Sequence, residues 1–244
     1  MSNISYAHTR SAQEHFQEEL RGLMETGCKR FCDVGGGANP VVSLSAIEAY
    51  GLDYLVVDES PEELGKAPSG HQLLALDMSS SSAVSRLVEE RGHFDVVVSK
   101  WTAEHVPDGR ILHEQIFDML RPGGTAVHLF PTLYSPVFVL NRLLPTVLSE
   151  ALLSRVSSDR ETEGAHAKFR PYYSWCRGPS QRQIQRFQSI GFLVERYIGF
   201  FGHWYYVRAM PLHRVHERAT EMLVRHPLPS MTSYALVTLS RSEH

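Results

Sequence analysis

The chain has 244 residues, of which 43% are hydrophobic and 21% charged, and its formal net charge is −3 at pH 7. This length suits one globular α/β domain with an insert and allows a substantial buried core. Because the charge is small and no run of Lys and Arg forms a basic face, we expect no nucleic-acid partner. The three cysteines, Cys28, Cys32 and Cys176, lack the spacing of a disulfide framework or a zinc site, which indicates a reducing compartment and a cytoplasmic protein.

No part of the sequence predicts an export signal or a membrane span. The first 19 residues are polar and lack the apolar core of a signal peptide. The longest apolar region, Leu129 to Leu153, is interrupted by prolines and charged residues and is too broken to cross a bilayer. That region could be a core helix, a lid, the interface of a homodimer, or a surface that accepts a lipid tail.

From residue 31 onwards, short apolar runs typical of strands alternate with stretches of helical periodicity. Apolar strands separated by helices of this length predict a parallel sheet that is covered on both faces. The predicted strands are 31–34, 54–57, 73–76, 94–98, 125–130, 192–198 and 234–239, and the predicted helices are 41–50, 79–91, 108–120 and 180–190.

The alternation of strands and helices stops after residue 130 and resumes near residue 179. We therefore divide the chain into an N-terminal helical segment (1–30), an α/β core (31–130), an insert above the sheet (131–178) and a C-terminal completion of the sheet (179–244). The insert contains a mixed apolar stretch, a polar stretch and an aromatic cluster, and this composition makes it a candidate cap over a binding site.

A glycine-rich turn follows the first predicted strand. Gly35, Gly36 and Gly37 let the backbone approach a ligand closely. The second strand ends about 20 residues later at Asp58, where a carboxylate can accept both hydroxyls of a ribose. The third strand ends at Asp77, which can accept a hydrogen bond from an adenine amino group. Together the three strand ends predict a site for one nucleoside.

The same turn argues against two other kinds of nucleotide site. A dinucleotide fingerprint would have glycines at positions 35, 37 and 40, but position 40 is Pro40, which also removes a donor from the start of the helix. The sequence contains no GxxxxGK[ST] motif, so a P-loop is excluded.

Several segments between residues 28 and 130 resemble the motifs of class I methyltransferases that use S-adenosylmethionine (SAM). The chain departs from the family at Asn39, where a third glycine is common. The resemblance implies a doubly wound, Rossmann-like, mostly parallel sheet of seven strands with the last strand antiparallel. The matching segments are residues 33–40, Asp58, residues 76–78, residues 94–99 with 104–108, and residues 120–124.

The resemblance also implies which residues bind the cofactor SAM. It implies that Asp58 holds the ribose, that Asp77 and Met78 contact the adenine, and that the glycines pass beneath the methionine part. The core 31–130 would then be the SAM-binding unit and the insert a substrate cap. The full implied set is Asp33, Gly35, Gly36, Gly37, Asn39, Asp58, Glu59, Asp77, Met78, Lys100 and Trp101.

Deprotonation of a hydroxyl acceptor favours a base with a pKa near neutrality, which points to histidine. His105 follows the fourth predicted strand, and His166 opens an aromatic run that includes Tyr173 and ends at Cys176. We predict His105, His166 and Tyr173 as catalytic residues and the aromatic run as an acceptor pocket, although the run could instead pin the insert to the sheet. No metal site is predicted, because the adjacent pair Glu104-His105 does not make one by itself.

These patterns predict a SAM-dependent methyltransferase that O-methylates a small natural product, a sugar or a lipid-linked acceptor. One alternative is an RNA or protein methyltransferase. Against it, the residues after the fourth strand, Ser99-Lys100-Trp101-Thr102, lack the Asn/Asp-Pro-Pro-Tyr type of motif that is typical of amino-nitrogen targets. The other alternative is a non-catalytic interaction protein with the SAM-binding fold.

Overall fold

The computed structural model describes residues 3–133, 171–203 and 210–243, excluding the side chains of residues 210–212. Within them, eight strands form one sheet in the order β1-β7-β8-β6-β5-β2-β3-β4. The strands are β1 (Ile4–His8), β2 (Arg30–Val34), β3 (Asp53–Asp58), β4 (Gln72–Ala75), β5 (Phe94–Lys100), β6 (Leu120–Pro131), β7 (Phe192–Phe201) and β8 (Tyr234–Arg241).

All neighbouring strands are parallel except β8, which runs antiparallel to both β6 and β7. The strand order reverses between β2 and β5, because the chain first moves outwards through β3 and β4 and then returns to β5. The predicted doubly wound, mostly parallel sheet is thus confirmed. Residues 120–124, one of the segments that resemble the methyltransferase motifs, lie inside β6, where the register with β5 shifts.

The sheet has one strand more than the predicted seven. β1 lies at the edge and pairs parallel with β7, with Ile4 opposite Tyr197 and His8 opposite Phe201. Asn3 adds a side-chain hydrogen bond of 2.8 Å to the carbonyl of Val194. The N-terminal segment therefore consists of a strand followed by a helix. The sequence does not predict this strand, because its pairing partner lies some 190 residues away and leaves no local pattern.

Seven α-helices accompany these strands in the described residues. Serine or aspartate caps five of them by accepting a hydrogen bond from the first turn, at Ser43, Ser60, Ser80, Asp108 and Ser180. The helices are α1 (Ala12–Glu25), α2 (Leu44–Tyr50), α3 (Pro61–Leu64), α4 (Ser81–Arg91), α5 (Gly109–Met119), α6 (Gln181–Gln188) and α7 (Met210–Arg225).

The core consists of two clusters of buried side chains, and neighbouring residues of a strand belong to different clusters. On β2, Cys32 belongs to one cluster and Phe31 to the other, and on β5 Val97 and Val98 divide in the same way. Successive side chains of a strand point to opposite faces, so both faces of the sheet are covered. This confirms the covered sheet that the apolar strands predict.

The predicted insert is described only at its two ends, residues 131–133 and 171–178. His166 and the part of the apolar region beyond residue 133 lie outside the described residues. Among the helices that are described, none is long and apolar enough to cross a membrane.

Candidate active site

A cavity of about 620 Å³ opens at the carboxyl ends of β2, β3 and β5. This is the edge of an open α/β sheet at which ligands bind, near the point where the strand order reverses. The lining residues are Val34, Gly35, Gly36, Gly37, Ala38, Asn39, Val57, Asp58, Glu59, Glu63, Leu76, Asp77, Met78, Ser79, Lys100, Trp101, Thr102, His105, Val106, Pro107, Leu112 and Tyr172.

The glycine loop needs both the small size and the backbone freedom of its residues. Gly35 has a φ of +73°, and a Cβ added to it would lie 2.2 Å from the Cγ2 atom of Thr102. Gly37 has a φ of +41°, and its Cβ would lie 2.9 Å from the Oδ2 atom of Asp58. Any larger residue would push the loop out of place, so the glycines hold the backbone at the cavity wall.

Asn39, the departure from the family pattern, does not disturb this loop. Its N–H donates a 2.7 Å hydrogen bond to the carbonyl of Gly36, and it is not among the residues with positive φ. The position that often holds a third glycine therefore does not need one in this chain.

Asp33 is the one predicted cofactor residue that does not line the cavity. Its side chain is fully buried, and its Oδ2 atom accepts hydrogen bonds from the hydroxyl of Tyr54 at 2.6 Å and from the N–H of Val41 at 2.9 Å. Burial raises the pKa of Asp33 to about 6, although these two hydrogen bonds oppose the rise. The carboxyl group thus lies outside the cavity lining and fastens the loop from beneath.

Asp58 lines the cavity next to the glycine loop. Its Oδ1 atom accepts a 2.9 Å hydrogen bond from the N–H of Ser60, and its Oδ2 atom faces the backbone of Gly37. Burial raises the pKa of Asp58, the bond from Ser60 lowers it, and Glu63 raises it further. Glu63 also lines the cavity, and its carboxylate holds Lys66 at 2.6 Å. The sequence patterns did not single out Glu63.

Asp77 is held as an acceptor at the same end of the cavity. Its Oδ1 atom accepts from the hydroxyl of Ser79 at 2.7 Å and from the N–H of Ser79 at 2.8 Å, and both bonds lower the pKa of Asp77. The carboxylate therefore stays ionised at neutral pH. Met78 and Glu59 complete this wall, Met78 as a buried and Glu59 as an exposed residue.

Lys100 and Trp101 line the cavity at the end of β5, as predicted. Trp101 has a φ of +58°, which is rare and costly for a large side chain and often marks a functional position. The N–H of Trp101 donates to the carbonyl of Leu129 at 2.9 Å. Its indole packs edge to face on Tyr234 with 5.0 Å between ring centroids. The ring is thus held while 39% of the residue stays exposed.

His105 also lines the cavity, and its side chain is about one-third exposed. It belongs to a short 3-10 helix, Ala103–His105, in which Glu104 is buried beneath it. The main-chain carbonyl of Glu104 accepts hydrogen bonds from the N–H groups of Tyr172 at 2.7 Å and Tyr173 at 3.0 Å. These bonds bring the end of the predicted insert to the rim of the cavity.

Tyr173, predicted as catalytic, does not line the cavity, whereas its neighbour Tyr172 does. Tyr173 has a φ of +53° and packs against the buried core, and its carbonyl accepts from the guanidinium of Arg177 at 2.5 Å. Of the two neighbouring tyrosines, the structure therefore places only Tyr172 at the cavity. Since backbone geometry decides which of two adjacent tyrosines faces the cavity, no sequence signal could have separated them.

A family model described as a methyltransferase domain matches residues 7–219. An uncharacterized methyltransferase of Mycobacteroides abscessus is 34% identical over 97 residues, which are 39% of this chain and 37% of that protein. A ubiquinone biosynthesis O-methyltransferase of a Shewanella strain is 31% identical over 99 residues, 39% of this chain and 41% of that protein. The chain thus aligns with only about two fifths of the length of these relatives.

Two solved structures share the fold. A SAM-dependent methyltransferase from Archaeoglobus fulgidus has a TM-score of 0.54 at 14% identity and covers 94% of both chains. Phosphoethanolamine N-methyltransferase 2 of Haemonchus contortus, solved with SAM, has a TM-score of 0.51 at 15% identity and covers 95% of this chain and 56% of its own. With the family match over most of its length, this chain belongs to the methyltransferase-domain family and has the Rossmann-like fold of SAM-dependent methyltransferases.

Proposed function

We propose that the chain transfers a methyl group from SAM to a hydroxyl of a small acceptor, with His105 as the general base. One observation carries the proposal: a single cavity is lined both by the glycine loop with Asp58 and Asp77 and by His105. The first set of residues suits a nucleoside, and His105 adds a proton acceptor in the same space.

The residues at the nucleoside end fit the adenosine part of SAM. Gly35 and Gly37 place main-chain atoms at the cavity wall, and a side chain at either position would clash with its neighbours. Asp58 offers a carboxylate oxygen next to that loop for ribose hydroxyls, and the ionised Asp77 can accept from the adenine amino group. Lys100 adds a positive charge that suits the carboxylate of the methionine part.

The rest of the wall supports an acceptor with a flat or apolar skeleton. Trp101 and Tyr172 are the exposed aromatic residues of the lining, and Val106, Pro107 and Leu112 add aliphatic surface. Such surface suits a ring or an apolar chain better than a free sugar. We therefore favour a natural product or a lipid-linked acceptor over an unsubstituted sugar.

SAM, when bound, supplies a methyl group activated by its sulfonium. His105 takes the proton of the acceptor hydroxyl, which makes the acceptor oxygen a better nucleophile. The glycine loop, Asp58 and Asp77 would hold SAM, and SAM would supply the methyl group to the acceptor oxygen, with S-adenosylhomocysteine as the other product. The residues of the wall contribute by aligning the two reactants and by excluding water.

Two further observations support parts of this proposal. The Shewanella relative, which matches this chain over 99 residues, is named as an O-methyltransferase. Its name supports a hydroxyl acceptor for this chain. Cys28, Cys32 and Cys176 are all free thiols, which supports a cytoplasmic location.

Isothermal titration calorimetry with SAM and S-adenosylhomocysteine tests the cofactor. We expect both to bind with micromolar affinity, as is usual for substrate and product binding. If neither binds at high micromolar concentration, the proposal fails.

Transfer of a radiolabelled methyl group to a panel of phenols, hydroxylated lipids and sugars then tests the reaction. We expect transfer to phenols or lipid-like alcohols, and His105→Gln should lower kcat about 100-fold without changing SAM affinity. The matched control is His93→Gln, at an exposed histidine outside the cavity, which should leave both quantities unchanged. Full activity of His105→Gln would remove the assignment of the base, and transfer only to RNA or protein would remove the small acceptor.

A further inference from the structure

The carboxyl group of Glu104 is buried next to the proposed base, His105, and makes no contact with the cavity. Its side chain is only 6% exposed. Its Oε2 atom is fully buried, and no hydrogen-bond partner for it exists among the described parts of the chain. A polar atom left in this condition costs free energy, and in native proteins it calls for a functional or structural reason.

His105 is an ionisable neighbour of this carboxyl group. The Oε1 atom of Glu104 lies 3.8 Å from the Nε2 atom of His105, which is slightly too long for a hydrogen bond. Hydrogen bonds used in catalysis are often long before substrates bind and shorten in the loaded enzyme. The two side chains are therefore close enough to influence each other's protonation.

Within residues 3–133, 171–203 and 210–243, the structure shows no Lys or Arg in an ion pair with Glu104. The thiol of Cys176 is neutral, because burial and Glu104 raise its pKa well above the usual range, although Arg177 opposes this. The guanidinium of Arg177 donates to the carbonyls of Tyr173 and Cys176. On β6, His128 is bonded through Nδ1 to the hydroxyl of Ser99 at 2.8 Å, and burial lowers its pKa. Since the thiol of Cys176 stays neutral, His105 is the neighbour in the described part of the chain whose protonation we expect to follow the charge on Glu104.

The main chain of Glu104 fixes this arrangement. Its carbonyl holds the N–H groups of Tyr172 and Tyr173, so the buried residue ties the rim of the cavity to the short helix that carries His105. A shift of Glu104 would move both the proposed base and Tyr172, which lines the cavity.

We propose that Glu104 is a positioning residue for the base: its carboxyl group shares a proton with the imidazole of His105 and holds that ring towards the acceptor. The inference rests on the proposed function. When the acceptor hydroxyl gives its proton to His105, an ionised Glu104 stabilises the imidazolium that forms. The proton afterwards leaves the pair to solvent, so the pair returns to its starting state.

The sign of the pH dependence follows from burial. Burial raises the pKa of Glu104 to about 8, so this carboxyl is mostly neutral at pH 7 and ionises as the pH rises through 8. His105 is then the stronger base on the alkaline side, because a negative charge behind the ring favours its protonated form. Since the two groups interact, the titration steps belong to the pair.

The test is an NMR titration of the ring C2–H signal of His105 in the ligand-free full chain, assigned by its loss in His105→Gln. We expect two steps in the wild type, with the upper step near pH 8, and one step in Glu104→Gln. Glu104→Asp should keep an upper step at a shifted pH, which also serves if the Gln variant does not fold. The matched control is Cys176→Ala, a change of a buried neighbour, which should keep both steps.

Identical titration curves for the wild type, Glu104→Gln and Glu104→Asp would overturn the inference. With an acceptor that turns over, Glu104→Gln should also lower kcat about 10-fold at pH 9 and leave SAM affinity unchanged, because Glu104 does not line the cavity. Failure of SAM binding or of methyl transfer in the wild type would overturn the proposed function instead. The NMR titration separates the two cases, since it needs neither cofactor nor acceptor.

Discussion

The two ends of the cavity are built in different ways. At the nucleoside end, each carboxylate is held by a residue two positions further along the chain, Asp58 by Ser60 and Asp77 by Ser79. At the acceptor end, the contacts join distant parts of the chain, such as Trp101 with Tyr234 and the carbonyl of Glu104 with Tyr172. The hydrogen bonds that hold these two carboxylates are therefore local, whereas the contacts at the proposed acceptor end form only between distant parts of the folded chain.

This difference suggests how such a family can keep one cofactor and change its acceptors. A site made of short local motifs survives changes elsewhere, because each motif carries its own hydrogen bonds. A site made of distant contacts changes whenever one of its segments is altered. Substitutions at the two ends should accordingly affect different quantities, namely cofactor affinity at one end and the KM of the acceptor at the other.

The largest effect is expected for Gly35→Ala. The new Cβ would lie 2.2 Å from Thr102 at a backbone φ of +73°, so the loop must move away from the cavity. We expect calorimetry to detect no SAM binding. The matched control is Gly51→Ala, which has a φ of +59° but no atom within 4 Å of the added Cβ. It should lose about 1–2 kcal/mol of unfolding free energy and keep its affinity. Normal SAM affinity in Gly35→Ala would contradict the role of the loop.

A smaller effect is expected for Asp58→Ala. Loss of a charged acceptor for the ribose hydroxyls should weaken SAM binding about 10-fold to 100-fold, with no change in the KM of the acceptor. The matched control is Asp53→Ala, at the opposite end of β3 and outside the cavity lining. Calorimetry should give it wild-type affinity. Equal affinities for Asp58→Ala and the wild type would remove the nucleoside assignment.

Asp33→Asn tests how the buried carboxyl group beneath the glycine loop affects stability at different pH values. The pKa of Asp33 is raised to about 6 from 3.8, so the stability that the protonated carboxyl provides is present below pH 4 and lost as pH rises through 6. Urea unfolding should show the wild type losing about 2 kcal/mol relative to Asp33→Asn between pH 4 and pH 7. Parallel stability curves for the two proteins would contradict this account.

The smallest effect is expected for Tyr172→Ala, at the acceptor end. Loss of an exposed aromatic face should raise the KM of an aromatic acceptor about 5-fold, while SAM affinity stays the same. Tyr172→Phe keeps the ring and should behave like the wild type. A weaker SAM affinity in Tyr172→Ala, without a change in KM, would show that this residue belongs to the cofactor end. The two ends would then not control separate quantities.

The sequence by itself determined the order of the strands in the core and the covered parallel sheet. All the predicted cofactor residues except Asp33 line the cavity. The sequence predicts these features because apolar periodicity and glycine turns depend on only a few neighbouring residues.

Only the tertiary structure decided the features that depend on distant contacts. β1 pairs with a strand about 190 positions later. The carbonyl of Glu104 holds the segment of Tyr172 and Tyr173 at the rim, and of the two only Tyr172 lines the cavity. The burial of Glu104 and the turn of Asp33 towards Tyr54 likewise follow from packing. The physical reason is that burial and pairing depend on which segments meet, and a short window of sequence carries no record of its remote neighbours.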